Sequence, residues 1–516
     1  MYLTAGLHRS LQRHPDKIAT VTGARRQSYR QLVDRVARTA ASLRALGLQP
    51  GERLSVLSLN SDRMVELLLA GWCAGLVVNP VNTRWTPAEV AYALGDCGAS
   101  ALAVDDGLMA TASAMQTTQV ALPALRHKLY IGETQAPEGF VALEEGLASA
   151  VPMDDMRSAP DALAAIVYTG GTTGFPKGVM LSHGNLWASL LGRMAEVPNP
   201  PHYVTLLTSP MFHVAGLGRM LGQMIVGGTC VTVPAFAPKQ VVALMAREGV
   251  NDLVIVPSML QMLLDTPGFD PQGLPRLQRI LWGAAPITLP LLERALEAFP
   301  QVDFIHVYGM TETSAAVSAL QILRDPAFLQ SERIRSAGQA GLSAEIRIAD
   351  AQGHELPAGT SGEILVRGPA VMQGYWGRPE DSQQALAGGW LHTGDGGVMD
   401  AQGYLYVIDR IKDMVITGGE NVYPAEVESV LTSHPAVSMC AVIGVPHEKW
   451  GEAVHAVVVL QPGAQVTPEA LSAHCHAHIS GFKCPKSYEF REQLPLTAAG
   501  KVQKTALRQA VAGVSA

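Results

Sequence analysis

Through its first half the chain alternates between two hydrophobic periodicities, and this alternation restricts its fold more than any other feature. Gln31 to Leu46 repeats apolar residues at helical spacing, and Arg53 to Leu57 begins a buried strand. Met64 to Cys73 reads as a second helix and Leu76 to Val81 as a second strand. Helices and strands in alternation pack as α/β layers around largely parallel sheets. From Glu345 the texture changes. Glu345–Ile348, Glu363–Arg367 and Tyr404–Ile408 are short strands between Gly-rich turns, which predicts a β-rich subdomain closed as a small barrel. At Asp409-Arg410-Ile411-Lys412-Asp413 four charges fall within five residues, and a domain boundary is expected there. The stretch beyond reads as a smaller α+β unit. Pro424 opens a helix with Val427, Val430 and Leu431 on one face, and strands Met439–Ile443 and Val454–Leu460 follow. A second domain behind a charged hinge suits an enzyme that closes over its substrates.

The strongest chemical signal is Tyr168-Thr-Gly-Gly-Thr-Thr-Gly-Phe-Pro-Lys-Gly-Val179, entered from an apolar strand, Ala162 to Val167. Glycines let backbone N–H groups turn onto an anion, threonine hydroxyls add donors, and Lys177 adds charge. Gly178 follows the lysine where a Walker A loop has Ser or Thr, so this is a different phosphate cradle. Leu186, Trp187, Leu190, Leu191 and Met194 then form a helical stripe that reads as core.

Further motifs follow in order: Pro210-Met-Phe-His213-Val-Ala-Gly216, Trp282-Gly-Ala-Ala-Pro286, Tyr308-Gly-Met-Thr-Glu-Thr313, Trp390-Leu-His-Thr-Gly-Asp395, Asp409-Arg410-Ile-Lys412, Gly418-Gly-Glu-Asn-Val-Tyr-Pro424 and Gly500-Lys501. Together with the phosphate loop they run over nearly the whole chain, and their sequence resembles the adenylate-forming superfamily of acyl-CoA synthetases, luciferases and peptide-synthetase adenylation domains. The resemblance implies an N-terminal domain over 1–408 with two α/β layered sheets and the β-rich subdomain. It also implies a hinge at 409–412 and a small mobile α+β domain over 413–516.

It implies an ATP-dependent acid–CoA ligase, with ATP and coenzyme A as co-substrates and Mg²⁺ as the metal. Thr169, Gly170, Gly171, Thr172, Thr173, Gly174 and Lys177 would cradle the β- and γ-phosphates. Thr172 and Glu312 would hold Mg²⁺, a hard ion that favours oxygen ligands. Tyr308 would stack on adenine, with Gly283, Ala284 and Ala285 passing close to the ring; Gly309 and Met310 would belong to the same nucleotide site, and Thr311 would contact the α-phosphate. Asp395 would accept from both ribose hydroxyls, reinforced by Arg410. Lys501 would bridge the substrate carboxylate and the α-phosphate. Rotation about Lys412 would then withdraw Lys501 and present Gly418 and Gly419 to the pantetheine arm. Three departures from the family pattern leave these positions intact: Gly171 replaces a hydroxyl residue, Ile416 stands where some members carry lysine, and the last loop reads Thr-Ala-Ala-Gly-Lys.

The acyl pocket is expected around His213, Val214, Ala215, Gly216, Trp282, Gly283, Ala284, Gly309 and Met310, with His213 as an aromatic gate. Phe212-His213-Val214 offers neither an aspartate for a substrate ammonium nor an arginine for a second carboxylate, although Arg219 lies a helical turn or two further on. A monocarboxylic acid with an apolar tail or ring follows. A medium- or long-chain fatty acid is the leading expectation and an aryl or arylpropenoic acid the second. Transfer to a carrier protein, and a non-catalytic nucleotide-binding homologue, are the rivals.

A net charge of −7 from 38 basic and 45 acidic residues gives no basic footprint for nucleic acid. The longest apolar run, Leu67 to Val78, is too short to span a bilayer, and no signal peptide is evident at the start. Six cysteines without paired spacing suit a reducing cytoplasm. His474, Cys475, His476 and His478 lie too close in sequence to converge on one metal ion and read as a polar helix face. A homodimer is the family expectation.

Overall fold

The computed structural model describes the chain except residues 116, 119, 170–175, 286, 418–419, 497–501 and 515–516, and the side chains of 412, 421 and 512–514. Among the described residues there are a nine-stranded sheet, an eight-stranded sheet, a four-stranded sheet and a five-stranded sheet. The predicted alternation produces the first two. In the nine-stranded sheet, Ile18–Thr22, Thr229–Thr232, Val204–Leu207, Asp252–Ile255, Arg279–Gly283 and Asp303–Met310 run parallel. Antiparallel strands close both of its edges. In the eight-stranded sheet, Leu163–Thr169 lies parallel to Val77–Pro80 and antiparallel to Lys177–Ser182.

The helices expected at 31–46 and 64–73 form as Tyr29–Ala45 and Asp62–Cys73. Their N-caps, Ser28 and Ser61, each accept from the backbone N–H three residues on. The largest core joins the eight-stranded sheet to the helices His183–Glu196 and Val214–Val226. A second core lies behind the nine-stranded sheet and contains Trp282, which is fully buried and stacks on His306 at 5.0 Å. Trp282 is therefore core and does not line an acyl pocket as expected. Leu191 is also corrected: it is 40% exposed, because it sits one 100° step beyond the face on which Leu186 and Leu190 pack.

The expected barrel is an open antiparallel sheet, Glu345–Ala349, Gly362–Arg367, Leu391–Met399 and Leu405–Arg410 in that order. Four strands give too small a circumference to close around a packed interior. The sheet ends at Arg410, and after a single turn the next strand, Val415–Thr417, belongs to the C-terminal five-stranded sheet. Pro424–Thr432 is the predicted helix, burying Val427 and Leu431. His474 bonds to Ser433 and the Val430 carbonyl, Cys475 is buried, and the described residues contain no group of three metal-ligating side chains. No described helix is long and apolar enough to cross a membrane.

His183 caps the core where the N-terminal segment crosses it. Its Nδ1 accepts the Leu3 N–H at 3.2 Å, and burial pushes the imidazole down to about 4. The unfolded chain therefore takes up a proton that the folded chain refuses. This contribution to stability is complete above pH 6.5 and is lost as pH falls towards 4, about 2 kcal/mol of it between pH 7 and 5. Urea midpoints are expected to fall more over that interval for the wild type than for His183→Asn, whose Oδ1 can accept the same N–H. Parallel slopes would contradict it.

Candidate functional site

The site gathers at the C-terminal ends of the parallel strands, where peptide N–H groups and loop side chains converge. Asp303–Met310 delivers Tyr308, Gly309 and Met310, and the following single turn delivers Thr311 and Glu312. Arg279–Gly283 delivers Gly283, with Ala284 and Ala285 just beyond it. Gly283 and Gly309 must lack a side chain, because a Cβ on either would overlap the backbone carbonyls of Val307 and Ala315 respectively. Ala284, Ser314 and Ala315 all hold φ between 56° and 107°, strained for residues with a Cβ. The Ser314 hydroxyl secures this turn by donating to the Ala370 carbonyl at 2.7 Å.

Asp395 is nearly fully buried. It accepts from the Tyr308 hydroxyl at 2.7 Å and pairs with Arg410 at 2.7 Å. Its loop is fixed by Glu363, whose carboxylate accepts from the Gly394 N–H and bonds His392. The antiparallel register Asp395↔Arg410 places carboxylate and guanidinium side by side on adjacent strands. Glu312 is also buried, with its Oε1 accepting from the Tyr375 hydroxyl at 3.0 Å. Burial pushes this carboxyl above the usual range, against the pull of its own backbone N–H, Tyr375 and Arg410. Glu312, Tyr308, Asp395 and Arg410 thus form one cluster from separate sequence motifs.

Thr169 and Lys177 are register partners at the mouth of a hairpin. Lys177 pairs with Asp381 at 3.0 Å and lies over the Tyr375 ring at 5.2 Å. Tyr168 is buried below, donating to Asp96 at 2.6 Å. Gly170, Gly171, Thr172, Thr173 and Gly174 lie outside the described residues, as do Gly418, Gly419, Lys501 and the side chain of Lys412. On either side of the last loop, Leu496 bridges to Val502. Lys504 pairs with Glu428 at 2.9 Å and reaches Asp409 at 3.8 Å.

His213 stands at the start of the helix Val214–Val226, beside the Phe212 ring at 4.6 Å. Its loop is held by Asn60, which donates to the Leu207 and Ser209 carbonyls and accepts from the Met211 N–H. Val214 is buried and Ala215 is exposed, while Gly216 is small because a Cβ there would strike the Pro210 carbonyl. Sequence reasoning missed Tyr375, Asn60 and Asp96. Each lies far along the chain from the group it supports, and no spacing signal connects them.

The chain matches two family models, the AMP-binding enzyme over residues 7–376 and the AMP-binding enzyme C-terminal domain over 426–501. It is 38% identical to a feruloyl-CoA synthase of Amycolatopsis sp, with 96% of each chain covered. It is 36% identical to a fatty acid–[acyl-carrier-protein] ligase of Streptomyces coeruleorubidus, covering 98% of this chain and 95% of that one. A crystal structure of an anthranilate CoA ligase in complex with anthranoyl-AMP superposes with a TM-score of 0.91 at 28% identity, over 100% of this chain and 98% of the other.

Proposed function

Since the chain belongs to the AMP-binding enzyme family, whose relatives here are acid–thiol ligases, we propose that it joins an aryl or arylpropenoic acid to coenzyme A through an acyl-adenylate. In the first step a carboxylate oxygen attacks the α-phosphorus of ATP, the α–β bridging P–O bond breaks, and pyrophosphate leaves with the electron pair. In the second, the CoA thiol gives up its proton to solvent, its sulfur attacks the acyl carbon, the acyl C–O bond breaks and AMP leaves with the electron pair. Both steps gather negative charge, so oriented donors and cations matter more than a general base.

The single observation that carries this reading is the buried Tyr308–Asp395–Arg410 cluster beside Glu312. Asp395 has acceptor capacity left for the ribose hydroxyls, and its pairing with Arg410 fixes its direction. Tyr308 offers its ring to adenine, and Gly283 and Gly309 keep the adjoining backbone clear. The Glu312 carboxylate and the Thr172 hydroxyl are oxygen donors of the kind Mg²⁺ favours and would hold it; when bound, the ion would neutralise charge on the phosphates. Tyr375 holds the Glu312 carboxylate in place. Lys501 would bridge carboxylate and α-phosphate, and rotation about Lys412 would exchange it for Gly418-Gly419 on the thiol path.

The aryl reading replaces the fatty acid as the first choice. Two relatives act, by their names, on arenecarboxylic or arylpropenoic acids, and side chains as small as those of Ala215 and Ala284 would leave width for a ring. The fatty-acid relative keeps a carrier-linked acyl chain as the second reading. Acid-dependent AMP and pyrophosphate release, scored over aryl and alkyl acids with CoA or acyl carrier protein as acceptor, tests both. The expected result is kcat/KM highest for an aryl acid with CoA. Pyrophosphate release from no acid would refute the ligase reading.

A further inference from the structure

Below the site, one face of the nine-stranded sheet is stacked in rows. Gly283, Val307 and Ala319 form the row nearest the nucleotide end, and Val254, Leu281 and Ile305 the next. Val254, Val307 and Ala319 are partly exposed, whereas Leu281 and Ile305 beside them are buried under Val197. The third row is charged: Thr205, Asp252 and Arg279. It lies four residues below Gly283, about 13 Å along the strand.

At this level the guanidinium groups of Arg219 and Arg279 pair with one buried carboxylate, Asp252, and that of Arg193 lies near enough to feel both of theirs. Arg279 is satisfied: it donates to Asp252, to the Pro198 carbonyl and to Asn199, and its guanidinium lies on the Tyr203 ring. Arg219, 4% exposed on the helix that begins beside His213, pairs with Asp252 and donates to Thr205. Among the described residues its Nε and Nη1 are buried without a hydrogen-bond partner, and so are Nη1 and Nη2 of Arg193. Gly222 makes room for Arg193, since a Cβ there would stand 3.1 Å from its Nη2. Burial, then the charge of Arg279, pushes the Arg193 guanidinium down to about 10. Buried donors without acceptors are costly, and a surplus of buried positive charge more so.

We propose that the acid bound here carries a second oxygen acceptor, a phenol or a carboxylate, at the end remote from the reacting carboxyl, and that Arg193 and Arg219 receive it. This rests on the ligase reading for the direction in which the acid enters: carboxyl at Gly309, ring along Val254 and Val307, distal oxygen at the floor. The unpaired N–H groups then gain their acceptor only when substrate is bound. An apolar acid leaves them unpaired, and a site built to hydrogen-bond a group rejects the analogue that lacks it by far more than an apolar pocket can.

The test compares cinnamic, 4-hydroxycinnamic and 4-carboxycinnamic acids on the wild type and on Arg193→Met. Acid-dependent pyrophosphate release is expected to favour at least one 4-oxygen acid over cinnamic acid by ~10² or more in kcat/KM. Which of the two leads identifies the group. Arg193→Met is expected to reduce that ratio to below ~10, and without acid to melt no lower than the wild type. An equal rate for all three acids, or a preference unchanged in the variant, overturns the proposal. A melting point several degrees lower also overturns it, because it marks a guanidinium already satisfied by the fold. Binding is read separately, as the Tm rise each acid gives at saturation. If no acid is turned over, the ligase reading fails, and the Tm comparison still decides this proposal: equal rises for all three acids overturn it.

Discussion

Replacing Lys501 with alanine is expected to lower acyl-adenylate formation by ~10²–10³ or more. The carboxylate and the triphosphate repel each other, and an ammonium placed between them is worth most when the bond is half made. Thioester formation from supplied acyl-AMP is expected to fall much less, because the proposed rotation would withdraw the lysine for that step. The measurement is pyrophosphate release from acid and ATP, set beside AMP release from synthetic acyl-AMP and CoA. Equal losses in the two half-reactions would remove Lys501 from the adenylation step.

The second large effect is expected at Asp395. Asparagine keeps the shape but loses the charge that Arg410 faces and turns one acceptor into a donor. The Tyr308 hydroxyl, the Arg410 Nε and the ribose would then compete for a single neutral oxygen. Hydrogen bonds to an ionised group contribute about 1.5–3 kcal/mol, so KM for ATP is expected to rise by ~10–10² for each one lost. The KM for the acid, measured at saturating ATP, is expected to change little. An unchanged ATP dependence in Asp395→Asn would place the ribose elsewhere.

Much of this was legible in the sequence because function and fold share their signals. The helical and strand periodicities located the layers, since both depend on which residues are buried. The motifs Tyr308 to Thr313 and Trp390 to Asp395 pointed to residues that the structure brings into contact. What stayed hidden was pairing at long range. Nothing in the local spacing connects Tyr375 to Glu312, 63 residues away, or Asn60 to Met211, 151 away. Trp282 was misread because its neighbours belong to the site: on a strand, alternate residues face opposite sides, so Gly283 can meet a ligand while Trp282 faces core. Arg219 was noted but its partner was not, since Asp252 becomes its neighbour only through the sheet.

The Leu496–Val502 bridge and the buried Lys504–Glu428 pair bear on how far a side chain can travel. The bridge closes the two ends of the last loop on each other, and Val502 packs with Leu494 and Leu507 on the C-terminal sheet. Under the proposed rotation, whatever that loop carries would travel with its sheet, as a tooth travels with its gear. Weakening the Lys504–Glu428 pair would then be expected to loosen the loop from the body that carries it.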